Sequence, residues 1–275
     1  MRTWTTLVLA AMLLCACGQP QPEPWLGYAE GDSALVAAPQ PGWVADLRVE
    51  RGAAVQKGDL LFRLDDTAQE AAADQAKAQI AQAEGQLGQA RASLVLASKE
   101  LVRQKGLLRS GATSKQAVDQ AQSAYDTAKA GIAQIEGAES QARATLAGAA
   151  YQLSQRDVVS LTSGIVQDIY FRPGEYVPAM TPVVSILPPK NIYVRFFVPE
   201  TQFAKIKLGE RVAVHCDGCG GDLQAQITFI AAQQEFTPPV IFSVRNREKL
   251  VFKVEARAPN GLALHPGQPV DVRPM

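Results

Sequence analysis

From about Thr67 to Lys105, apolar residues return at alternating steps of three and four: Ala73, Ala76, Ile80, Ala83, Leu87, Ala90, Leu94, Ala97 and Leu101. From Lys115 to Gln155 the same stepping gives Val118, Ala121, Tyr125, Ala128, Ile132, Ile135, Glu139, Ala142, Leu146, Ala149 and Leu153. Such spacing places them on one stripe of a helix, the seam of a coiled coil. The polar remainder of both segments leaves only a partner helix to cover the stripe. Folding the chain back pairs Leu101 with Val118, Ala97 with Ala121, Leu94 with Tyr125, Leu87 with Ile132 and Ala83 with Ile135. The residue numbers of each pair add to 218 or 219, as an antiparallel hairpin turning between Arg109 and Ser110 requires. The one polar intrusion is Glu139, opposite Ile80. Arms of about 40 residues predict a hairpin of roughly 60 Å.

The turn itself reads RQKGLLRSGATS, Arg103 to Ser114. Gly106 and Gly111 interrupt the helical pattern there, and Gly111 suits the left-handed position that ends a helix. Thr113 with Gln116 forms a capping-box pattern for the second helix, with Ser114 as the alternative cap. Leu107 and Leu108 fit a hydrophobic plug at the turn.

Outside this region the period changes to two. GWVADLRVERGAAVQKGDLLFRL, Gly42 to Leu64, matches GIVQDIYFRPGEYVPAMTPVVSI, Gly164 to Ile186, at a constant offset of 122 without a gap. Each copy predicts strand, glycine turn, strand. Two such halves, each of four short strands, resemble the lipoyl/biotinyl-like β domain. A carrier domain of that fold needs a lysine at the hairpin joining its halves. Here the halves are separated by the helical segment, Asp65-Asp66 stands where the first ends, and Lys57 and Lys77 lie elsewhere. The fold is therefore expected without a swinging cofactor, and no cofactor is expected at all.

Prolines are absent from Gly42 through Arg172 and frequent afterwards, which separates a helical middle from a β-rich end. Lys+Arg and Asp+Glu both number 27, so no basic field exists to attract nucleic acid. At the start, Arg2 precedes an apolar run, Leu7 to Leu14, too short to span a bilayer. It ends in Leu14-Cys15-Ala16-Cys17-Gly18, which resembles a bacterial lipobox with Cys17 as the lipidated residue; a plain secretory signal is the alternative. Both readings export the chain. GQPQPEP then forms a stiff tether.

Taken together, these features resemble the HlyD-type membrane fusion proteins, periplasmic adaptors of tripartite efflux and secretion systems. The fold class implied is α+β multidomain: a long antiparallel α-helical coiled-coil hairpin inserted between two halves of a lipoyl/biotinyl-like β domain, followed by a β-barrel domain. The expected segments are 1–17, signal peptide with lipobox; 18–36, tether and first strand; 37–65, first lipoyl-like half; 66–156, hairpin; 157–188, second half; 189–275, β-barrel. In members that dock to TolC-type channels the hairpin tip carries Arg, then Leu four residues on, then Ser seven further. Arg103, Leu107 and Ser114 stand at that spacing, so the resemblance implies a channel-docking tip. The cap and docking readings of Ser114 are compatible.

Ile192 to Val214 reads as strand, short helix and strand, and resembles the adaptor β-barrel with its Pro-Glu helix start and Gly-Glu-Arg-Val turn. The segment Glu235 to Pro239 resembles adaptors serving ABC-type exporters. Implied partners are an inner-membrane transporter, ABC permease or ATPase, an outer-membrane TolC-type channel, and further copies of the chain, a hexamer if it follows the family. An adaptor for a proton-driven RND-type pump is the alternative, and a stand-alone envelope coiled-coil scaffold a more distant one. The implied location is the periplasm of a Gram-negative bacterium, lipid-anchored to the inner membrane.

Other chemistry is sparse. Cys216-Asp-Gly-Cys219 is half of a four-ligand zinc site and has no second pair. It sits between strand-like segments of an exported chain, which favours a turn disulfide over metal or redox function. His265 reads as a solvated loop residue. No phosphate loop, HExxH or serine elbow occurs, so the chain is not expected to be an enzyme.

Overall fold

The computed structural model describes residues 23–204, 206–236 and 250–275. Cys17, expected to carry a lipid, and most of the tether after it lie outside the described residues, as do the last three residues of Glu235–Pro239. The chain divides into two compact units, Ala34–Ile186 and a second built from the residues before and after it.

The first unit contains the duplication. Its strands are β2 (Ala34–Ala37), β3 (Gly42–Leu47), β4 (Ala54–Val55) and β5 (Leu60–Leu64), then β6 (Asp157–Val159), β7 (Gly164–Ile169), β8 (Tyr176–Val177) and β9 (Pro182–Leu187). They form two four-stranded sheets, β2-β9-β7-β4 and β6-β5-β3-β8. The repeat offset carries one sheet onto the other, strand for strand. Each sheet therefore holds strands from both halves. Gly42 pairs with Val177 and Trp43 with Tyr176, while the equivalent residues Gly164 and Ile165 pair with Val55 and Ala54. Hydrogen bonds repeat as well: Gly52 N–H donates to Val166 O, and Gly174 N–H to Val44 O, both at 2.8 Å.

The core follows from period-two alternation. Val44, Val55, Leu61 and Leu64 and their copies Val166, Val177, Val183 and Ile186 all point between the sheets and are buried. Each fully buried side chain of this size contributes about 1.5–3 kcal/mol, so the exchange of strands is held by a shared apolar interior.

Between β5 and β6 run α1 (Thr67–Arg109) and α2 (Lys115–Ser154). The buried residues, Ala73, Ala76, Ala83, Leu87 and Leu101 in α1 and Val118, Ala121 and Ala142 in α2, all lie on the predicted seam. Every other seam position is half-buried. Cross-helix polar contacts fix the register: Arg143 lies 3.6 Å from Glu84, Arg91 3.7 Å from Glu136, and Lys105 Nζ donates to Gln122 at 3.1 Å. Their spacing is heptad or a multiple of it on both arms, so they flank one side of the seam. Glu139, the polar intrusion, pairs with Arg143 one turn along its own helix, and that arginine also reaches Glu84.

One expectation about the turn is corrected. Gly106 does not interrupt α1, which runs through it to Arg109. Only Gly111 leaves helical space, with φ of 76°. At the base, the buried Arg156 follows α2 and donates from Nη1 to Pro41 O at 2.8 Å, tying the hairpin to the β domain.

The second unit is a closed six-stranded barrel, in the order β1 (Trp25–Gly31), β10 (Ile192–Pro199), β13 (Leu250–Arg257), β12 (Leu223–Phe236), β11 (Arg211–His215), β14 (Pro269–Pro274). Its core includes Val194, Phe196, Val212, Ile227, Val254 and Val272. The N-terminal strand β1 completes the ring by pairing with both β10 and β14. Gly27 is required there, because a Cβ would meet Arg195 O at 2.4 Å. The short helix α3 (Glu200–Phe203) follows β10. Phe203 stacks on Phe252 and Gln202 accepts a hydrogen bond from the Trp25 indole at 2.7 Å.

Candidate functional site: the hairpin tip

The reversal between α1 and α2 is a Schellman turn. Ala112 N–H donates to Leu107 O at 2.9 Å and Gly111 N–H to Leu108 O at 3.1 Å, which satisfies two of the carbonyls α1 leaves open. Ser110 Oγ donates to Leu107 O as well. The second helix starts at Ser114, which is extended, with φ −89° and ψ 155°, and accepts from Ala117 N–H at 3.2 Å. Ser114 is therefore the cap, and the Thr113–Gln116 box is not formed. Thr113 instead donates from Oγ1 to Gln104 Oε1 at 2.9 Å, across the turn.

Arg103 and Leu107 lie one helical turn apart on α1, so they share a face. The Arg103 side chain is 67% exposed and paired with Glu100, one turn back. Leu107 and Leu108 both stay more than a third exposed. The tip thus presents two leucines and an arginine whose partner is itself at the surface, on a turn closed by backbone hydrogen bonds. Exposed pairs of this kind contribute little to stability. Glu100 and Gln104 were not singled out in the sequence as tip residues, although the spacing of Glu100, Arg103 and Gln104 at i, i+3 and i+4 marks one helical face. Ser114 spends one lone pair on its cap, and among the described residues its hydroxyl makes no other hydrogen bond.

The other candidate residues lie elsewhere. Cys216 and Cys219 are joined as a disulfide, with Cα atoms 5.4 Å apart, in the turn between β11 and β12. Cys216 is buried in the barrel core. His215 points outward, its Nδ1 2.9 Å from Asp222 Oδ1. Among the described residues no group of three or more His, Cys, Asp or Glu is placed to hold a metal.

The most perturbed titrating groups sit on the barrel wall. Arg195 lies 2.6 Å from Glu30 and 2.9 Å from Glu255. Burial alone would lower its pKa, but hydrogen bonds to Glu255 and Tyr28 and the charge of Glu30 raise it instead. Tyr193, buried beneath the Arg257 guanidinium, is pushed up to about 12, by burial first and by Glu255 second. This cluster clamps β1 to β10 and β13. Its members are paired with one another, which marks a structural role.

Comparison with known proteins places the hairpin in a family. Residues 79–156 match the family described as "RND MFP, alpha-helical hairpin domain". A protein of Acidithiobacillus ferridurans, described as "UPF0194 membrane protein in asrC 5'region", is 28% identical over 271 residues, 84% of this chain and 80% of its own length. The colistin resistance protein EmrA of Acinetobacter baumannii is 25% identical over 253 residues, 77% of this chain and 70% of its own. The crystal structure of MacA from Actinobacillus actinomycetemcomitans superposes with a TM-score of 0.70 at 21% identity, covering 91% of this chain and 78% of that one.

Proposed function

We propose that the chain, whose residues 79–156 match the α-helical hairpin domain of membrane fusion proteins, is an adaptor of that kind and links an inner-membrane exporter of the ABC type to an outer-membrane TolC-like channel. Membrane fusion proteins act as adaptors, not enzymes, so the chain's work is coupling and sealing. Any energy is supplied by the partner. In this reading Arg103, Leu107 and Ser114 dock to the channel, the β-barrel meets the transporter, and copies of the chain assemble as a ring, a hexamer. Cys17 carries the lipid that retains the protein at the periplasmic face of the inner membrane. The Cys216–Cys219 disulfide serves as a staple for the β11–β12 turn in an oxidising compartment. No helix among the described residues is long and apolar enough to cross a membrane.

The observation that carries the reading is the tip: a hydrogen-bonded reversal that leaves Arg103 and Leu107 exposed on one face, at the end of two helices whose apolar seams cover each other. The apolar seam of each arm is consumed by the other arm, so the exposed tip residues are left for a partner.

A second reading, an adaptor for a proton-driven RND pump, draws support from the family description of the hairpin itself. Affinity purification of the cross-linked full-length protein from its own envelope separates the two. Recovery of an ATP-hydrolysing permease supports the first reading, and recovery of an RND pump the second. Recovery of neither a transporter nor a channel leaves the stand-alone scaffold and contradicts both.

A further inference from the structure

The outer surface of the barrel carries a groove where β1, β14 and β11 lie side by side. Alternation along each strand decides what fills it. Trp25 and Ala29 point into the core, so Leu26 and Tyr28 point out. Val270 and Val272 point in, so Pro269 and Asp271 point out. Val212 and Val214 point in, so His215 points out. With Asp217 from the following turn, these outward side chains border a cavity of about 600 Å³, within the range of roughly 300–1,000 Å³ usual for small-molecule sites.

Its chemistry is one-sided. Leu26, Pro269 and the Tyr28 ring give an apolar wall. Asp217 and Asp271 supply two carboxylates, neither in an ion pair among the described residues, and no lysine or arginine lines the groove. His215 is turned to Asp222. Both rims are held in place. The disulfide closes the turn bearing Asp217. On the other side Gly267, at φ 87°, donates to Ala29 O at 2.8 Å, and Ala29 N–H donates to Gln268 O at 2.8 Å. The groove therefore needs little ordering when a ligand enters.

We propose that this groove binds a small lipophilic organic cation, with its apolar body against Leu26, Tyr28 and Pro269 and its charge facing Asp217 and Asp271. The apolar wall favours any lipophilic body in proportion to the area covered. The carboxylates and the Tyr28 ring then attract a cation and repel an anion of the same shape. A diffuse charge suits the site better than a compact ammonium, because it loses less hydration on entering an apolar groove. The site belongs to the barrel alone and stands independently of the adaptor reading.

Equilibrium dialysis of the purified protein against tetraphenylphosphonium and tetraphenylborate, ions of one shape and opposite charge, tests it. Expected is saturable one-to-one binding of the phosphonium and at least about tenfold weaker binding of the borate. Asp217→Asn and Asp271→Asn each weaken the phosphonium several-fold, and together they remove the preference between the two ions. Asp74→Asn, on the hairpin, leaves both affinities unchanged. Circular dichroism establishes that each variant is folded, and the two single substitutions keep the test available without the double variant. Equal binding of both ions, no saturable binding, a preference that survives the substitutions, or equal weakening by Asp74→Asn overturns the proposal.

Discussion

Gly58 and Met180 hold the same turn in the two halves of the duplicated β domain, and both have positive φ, 100° and 60°. Their amides even make equivalent hydrogen bonds, Gly58 N–H to Ser160 O at 2.8 Å and Met180 N–H to Ala38 O at 2.9 Å. Met180 is the one non-glycine residue in this conformation among those described, and its side chain is 75% exposed. Left-handed backbone costs a side-chain-bearing residue roughly 1–2 kcal/mol, and an exposed methionine recovers little of it. Met180→Gly is expected to stabilise the domain by about 1 kcal/mol, and Gly58→Met to destabilise it by a similar amount. The midpoint of urea unfolding checks both.

The two glycines of the hairpin turn should respond in opposite ways to alanine. A Cβ added at either would meet no atom within 4 Å, so space does not decide the outcome. Gly106 is helical, and Gly106→Ala should stabilise by about 1 kcal/mol. Gly111 sits at φ 76°, and Gly111→Ala should cost about 1 kcal/mol. Thermal unfolding followed by the helical signal distinguishes them.

Ser114 caps α2, and that role can be separated from docking. Ser114→Ala removes the cap and should cost about 1 kcal/mol, whereas Ser114→Asp keeps an accepting oxygen at the helix N-terminus. Export should fall in Ser114→Asp with stability preserved if the hydroxyl docks. Full export in that variant together with loss in Ser114→Ala would assign the serine to the cap alone.

Tyr193 sets an alkaline limit on the barrel. Its pKa is raised from 10.0 to about 12 in the folded chain. A raised pKa means that the folded state holds its proton where the unfolded state releases it. The contribution is complete below pH 10 and is lost as pH rises through about 12. Barrel stability should therefore decline across that window, and Tyr193→Phe should flatten the decline. Absorbance of tyrosinate should show one tyrosine ionising later than the rest.

At the base of the hairpin the sign reverses. The Asp65 carboxylate accepts from Thr67 Oγ1 at 2.7 Å and Thr67 N–H at 3.1 Å, and these bonds, the side-chain one first, lower its pKa. Its contribution is present above the ordinary carboxylate range and lost as pH falls below it. Asp65→Asn should reduce the acid sensitivity of the start of α1, measured by hydrogen exchange there.

The seam of the hairpin and the strands of the duplication were legible in the sequence because each rests on a period. Steps of three and four located every buried residue of the two hairpin helices, and a constant offset located both glycine turns. The exchange of β4 and β8 between sheets was not legible, since period-two alternation says which face a strand buries and not which neighbour it takes. The place of β1 in the barrel was hidden for the same reason: its partners β10 and β14 are distant in sequence. Gly106 was misread because a glycine is tolerated inside a long alanine-rich helix, where neighbouring turns hold its backbone. At the tip, Arg103, Leu107 and Ser114 were named from the resemblance to channel-docking adaptors and not from a period, and the competition between Thr113 and Ser114 for the cap was settled by Gln104, which engages the threonine.

Contact between the hairpin tip and an outer-membrane channel is the step on which the adaptor reading turns. Site-specific photocross-linking from position 107 in living cells probes that contact. The expected result is an adduct with an outer-membrane channel protein that disappears in Arg103→Asp while the variant remains folded and exported to the envelope. No channel adduct from this position, or an adduct indifferent to Arg103→Asp, would contradict docking through the tip.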